Sequence, residues 1–98
     1  MHAVVNELRL KASVPADVWE RARTELPERM RAIEGFQGLR VIAVGDDRLV
    51  LVIEADSPAT LDRIATEVGS PWMVENVVPH LAAPPARAIG EVVVGFDA

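Results

Sequence analysis

The chain has 98 residues, half of them apolar, 26% charged and 4% aromatic, which is the balance of one folded domain over residues 1–98 and excludes a disordered tail. A formal net charge of -5 argues against nucleic acid or an anionic membrane as partner, since both need a surplus of Lys and Arg on one face. With no cysteine, disulfides and thiolate-bound metals or clusters are excluded, and two histidines are too few for a His-rich metal site, so no metal is expected.

From Ala3 to Lys11 the residues alternate, with Val4, Asn6, Leu8 and Leu10 on one face and Val5, Glu7, Arg9 and Lys11 on the other, which predicts a half-buried strand. Asn6 is the one polar residue in the apolar stripe. Pro15 suits the first position of a helix, and Val18, Ala22, Leu26, Met30 and Ile33 recur at helical spacing up to Gly35. Pro27 lies inside that helix and denies the Arg23 carbonyl its partner, so a kink, or a break after Leu26, is expected. Gly35 can take the left-handed conformation that ends a helix, letting Phe36 fold back towards Met30.

Leu39 to Val44 and Leu49 to Ala55 read as the two strands of a hairpin turning at Gly45, Asp46, Asp47 and Arg48. Both are apolar on both faces, so something must cover each side. Ser57 and Pro58 form a helix cap and first turn, Leu61, Ile64, Ala65 and Val68 give the stripe, and Gly69 is expected to end it. Ser70 and Pro71 then open a shorter helix through Trp72, Asn76 and Val77, and Ala82 to Pro85 is a loop. Ile89 to Phe96 completes the set as a strand. No apolar run approaches the ~20 residues of a membrane span and no leader-like start is present, which points to a cytoplasmic location.

Strand, helix, strand, strand, helix with a short extra helix, strand is the order of an α+β, ferredoxin-like βαββαβ sandwich with its helices on one face. The bare face, with Val5, Val50, Val52 and Val93, is expected to pack on the same face of a second copy, giving a homodimeric α+β barrel. Glu7, Arg9, Lys11 and Glu54 share that face and are expected to pair across the two-fold.

Gly35-Phe36-Gln37-Gly38, Glu54-Ala55-Asp56-Ser57-Pro58 and Ser70-Pro71-Trp72 resemble the antibiotic biosynthesis monooxygenase-like family of dimeric α+β barrels. The resemblance implies a pocket between sheet and helices in each subunit, and it brings in cofactor-free oxygenases that turn phenols into quinones, haem-degrading monooxygenases, and isomerases. Of the Asn, Trp and His that the haem degraders use, Asn6 matches the first, whereas the Trp position falls on Ala55 and the His position near Asn76 or Val77. No haem and no other cofactor is therefore expected. The quinone-forming oxygenases use a Tyr as well as Asn and Trp, and this chain has none.

The site expected from these residues has Asn6 as hydrogen-bond donor to a ligand oxygen, His80 as general base near neutral pH, Trp72 as a wall, and Ala55 and Asn76 as ligand-facing positions. A cofactor-independent monooxygenase acting on a small polyketide- or quinol-like aromatic is the function this implies. The alternative is a non-catalytic module of the same fold that binds a small apolar ligand or serves in assembly.

Overall fold

A computed structural model describes residues Met1–Ala98. Strands β1 (His2–Arg9), β2 (Phe36–Val44), β3 (Arg48–Ala55) and β4 (Ala86–Glu91) form one antiparallel sheet in the order β2-β3-β1-β4. Helix α1 (Ala16–Arg31) joins β1 to β2, and the helical run α2 (Pro58–Ile64) to α3 (Ser70–Asn76) leads from β3 towards β4. This is the ferredoxin-like α+β arrangement predicted from the element order.

The alternation of β1 and β3 decides which face is covered. Val4 and Leu8 of β1 and Leu49, Leu51, Ile53 and Ala55 of β3 are buried beneath the helices, together with Val18, Ala22, Leu26 and Met30 of α1 and Leu61 and Ile64 of α2. A shift of one residue would have buried Glu7 instead of Leu8, so the sequence fixes the register. The other face carries Val5, Ile42, Val50 and Val52 with nothing over them, and Val5 and Ile42 are 40% and 46% exposed.

Helix α1 is not broken at Pro27; it runs through to Arg31, and Pro15 precedes it rather than opening it. A proline inside a helix costs ~3 kcal/mol or somewhat more. Unwinding there would unseat Leu26 and Met30, which are 3% and 2% exposed and together outweigh that cost. Gly35 takes φ +95°, as predicted for the helix exit, and a Cβ at this position would run into the Asp56 carboxylate. Phe36 does not stay in the turn but opens β2, three residues earlier than the β-branched run indicated, with an irregular register between Phe36 and Gly38.

Gly69 does not end the second helix. It has φ -63°, and the backbone continues from α2 to α3 through a π-helical turn, Ala65–Gly69, in which the Ser70 amide donates to the Ala65 carbonyl five positions back. Ser70 is accordingly the first residue of α3 and caps nothing, whereas Ser57 does cap α2, its hydroxyl accepting from the Thr60 amide at 3.2 Å. The wider turn absorbs the missing amide of Pro71 while Val68 and Trp72 both stay in the core.

The last strand also lies elsewhere than predicted, at Ala86–Glu91 instead of Ile89 to Phe96. β4 pairs only with β1, and Glu91 already stands opposite His2, so β1 is used up there. One further bond, from the Val92 amide to the Met1 carbonyl, ends the pairing. Val93, predicted to line the bare sheet face, lies past the sheet and is 85% exposed. Glu7 pairs within the chain, with Arg48 at 3.3 Å, and Lys11 falls beyond the end of β1.

Candidate functional site

Between the sheet and the α2–α3 run lies a cavity of about 370 Å³, within the size range of small-molecule sites. Val4, Asn6 and Leu8 of β1 and Leu51 and Ile53 of β3 form its floor. Leu61, Ala65, Gly69, Ser70, Met73 and Val74 form its helical wall, and Val78, Pro85 and Arg87 close one side. Two of these, Ala65 and Gly69, bound the π turn, and a methyl group at one and no side chain at the other help leave the space open.

The polar groups converge from two strands. Asn6 faces the helices because it alternates with Val4 and Leu8, and in the antiparallel register it stands opposite Arg87 of β4. Its side-chain amide is half-buried and makes no hydrogen bond to any other protein group. Arg87 reaches Asp62 of α2 at 3.7 Å, a long contact between side chains 42% and 70% exposed, so the guanidinium keeps free donors for a ligand. Ser70 adds a hydroxyl. An amide and a guanidinium from facing positions on adjacent strands, within apolar walls, can hold a flat apolar molecule by one oxygen and favour the anionic form of that oxygen.

Of the five residues expected at the site, only Asn6 lines this cavity. Ala55 is wholly enclosed in the sheet core between His2 and Phe36, so its short side chain leaves no space. Trp72 is 3% exposed and packs on Trp19, with ring centroids 6.4 Å apart and tilted by 32°; its Nε1 meets no acceptor. The one-residue step of the helix places its neighbour Met73, not Trp72, on the cavity wall. Asn76 is occupied within the chain: its Nδ2 donates to the Trp72 carbonyl and its Oδ1 accepts from Arg21 Nη2, both at 3.0 Å. His80 lies in the short turn Val78–His80, where its backbone is bonded to Val77 and Lys11, and its ring is not part of the lining.

Arg87 and Ser70 were missed from sequence. With the last strand placed at Ile89, Arg87 fell just before it and out of alternation. The signal that could have found it was the pairing length of β1, which limits how far towards the C-terminus β4 can run.

No protein-family model matches the chain, and no curated protein sequence does. Its structure is similar to a protein of unknown function from Nitrosomonas europaea, at 15% identity and a TM-score of 0.79 over 99% of this chain and 93% of that one. It is also similar to a variant of SnoaB, a cofactor-independent oxygenase from Streptomyces nogalater, at 12% identity and a TM-score of 0.73 over 99% and 97% of the two chains. A monooxygenase of Streptomyces coelicolor in complex with nanaomycin D matches at 18% identity with a TM-score of 0.68, over 99% and 91%. Likeness at such identities is one of fold, and the fold is that of the antibiotic biosynthesis monooxygenases.

Proposed function

We propose that the chain is a cofactor-free monooxygenase acting on a small electron-rich phenol held in the cavity beside Asn6. The observation that carries this reading is the pairing of Asn6 with Arg87 on adjacent strands, both lining a largely apolar space. The similar folds of a cofactor-independent oxygenase and of a monooxygenase that binds nanaomycin D support the reaction class.

Arg87 stabilises the phenolate over the phenol, and the Asn6 amide fixes its oxygen by a hydrogen bond. The phenolate passes an electron to O₂, the resulting radical pair combines at a ring carbon, and loss of water leaves the quinone, so that phenol and O₂ give quinone and H₂O. Leu51, Ile53, Leu61 and Met73 keep bulk water from the ring during these steps. No carboxylate, His or Tyr lines the cavity, so the phenol proton leaves to solvent and solvent returns a proton to the ring-bound peroxide before water is lost.

That lack of a base equally favours a second reading, a ligand-binding module without turnover. The experiment is a thermal-shift screen of aromatic ligands, followed by O₂ electrode measurements on every hit. Stoichiometric O₂ uptake with quinone formation supports the oxygenase; binding without uptake supports the module; absence of any stabilising aromatic defeats both.

The assembly proposed with it is a homodimer through the uncovered sheet face. Val5, Ile42, Val50 and Val52 make that face apolar at its centre, with Glu7, Arg48 and Glu54 around it.

A further inference from the structure

Helix α1 and strand β2 leave a second cavity between them, of about 360 Å³, that shares no lining residue with the first. Its origin is local: Ala22 on the helix and Ala43 on the strand are too short to fill the layer where α1 crosses the sheet edge. Trp19 bounds it at one end and Leu39 and Val41 along the strand.

One charged residue reaches it, Arg23, and that guanidinium forms no ion pair or hydrogen bond within the chain. Pro27 lies one turn on and also lines the cavity. Having no amide hydrogen, it leaves the Arg23 carbonyl without its helical donor. The cavity is thus an apolar slot with one cationic fork at its exposed rim.

We propose that this slot is a second small-molecule site, for a small apolar carboxylate with an aryl or medium-chain alkyl tail. A planar guanidinium matches a carboxylate through two parallel hydrogen bonds, and one cation balances one negative charge, which disfavours a phosphate dianion. The head stays at the wet rim beside Arg23 while the tail lies against the Trp19 indole between Ala22 and Ala43. Because Trp19 lines the slot and packs against Trp72, the only other tryptophan, occupancy of the slot is expected to change the intrinsic fluorescence of the protein.

The test titrates the full chain with octanoate, and with 1-octanol as the uncharged control, by calorimetry and tryptophan fluorescence. Octanoate is expected to bind and to alter the fluorescence. Arg23→Gln, an exposed change that leaves the core intact, should weaken octanoate about three- to tenfold and octanol not at all. Ala43→Leu fills the slot and should abolish binding of both, whereas Asn6→Leu, in the other cavity, should leave both affinities unchanged. No octanoate binding by the natural protein would overturn the proposal. So would equal weakening of octanoate and octanol by Arg23→Gln, or loss on Asn6→Leu with retention in Arg23→Gln. If Ala43→Leu does not fold, the Arg23→Gln comparison decides alone.

Discussion

Asn6 of β1 stands directly opposite Arg87 of β4, and both side chains line one cavity beneath α2 and α3. Neither is committed to the fold: the Asn6 amide has no protein partner, and Arg87 has only a long contact to an exposed carboxylate.

Replacing Asn6 by Leu should therefore leave the melting temperature unchanged or raise it, since no protein hydrogen bond is lost and a half-buried polar group is removed. Affinity for an aromatic ligand should fall by about 1.5 to 3 kcal/mol, the range for one hydrogen bond to a charged oxygen. Thermal unfolding and calorimetry on this one variant check both. A drop in stability without a change in affinity would assign Asn6 to the fold instead.

Arg87→Met should cost about 0.5 kcal/mol of stability or less, because the pair with Asp62 is long and exposed. Its effect on a bound phenol is specific. The cation lowers the phenol pKa, so its loss should move the pH at which the ligand ionises in the complex upwards. Absorbance titration of a bound nitrophenol reads this directly, and an unchanged midpoint would remove Arg87 from the site.

Pro27→Ala should stabilise the protein by about 1 kcal/mol, since the helix already continues through this position and the new amide can reach the Arg23 carbonyl. Part of the gain is offset by the greater freedom of alanine in the unfolded chain. Chemical denaturation checks the sign.

Acid sensitivity should be traceable to Asp56. The Thr60 hydroxyl, and after it the Ser57 side chain, hold its carboxyl below the usual carboxylate range. A carboxylate depressed in the folded state contributes stability that is present above its unfolded pKa and lost as pH falls through the lower folded value, so this contribution fades below about pH 4. Thr60→Val should flatten the melting temperature against pH in that interval and change its slope little near neutrality.

Sedimentation at micromolar concentration should show a dimer, with an interface above ~1,000 Å². Val52→Glu places a charge in the centre of the uncovered face and should give a folded monomer. A natural protein that sediments as a stable monomer would sink the barrel.

Periodicity alone determined the element order and the buried face of the sheet, because the alternation of Val4, Leu8 and Leu10 and the helical spacing of Val18, Ala22, Leu26 and Met30 allow only one burial pattern. It also placed Asn6 on the helix side and Gly35 at the left-handed exit of α1. Tertiary pairing decided the rest. Pro27 and Gly69 carry local signals for stopping a helix, yet the buried residues beyond each hold the backbone helical. The position of β4 follows from where β1 runs out of partners, which no window of sequence around Ile89 contains. That pairing brings Arg87 to Asn6, and a residue-wide difference in helix phase turns Met73, rather than Trp72, into the cavity. A site assembled from separate elements depends on register and phase between them, and those are set by the packing of the whole core.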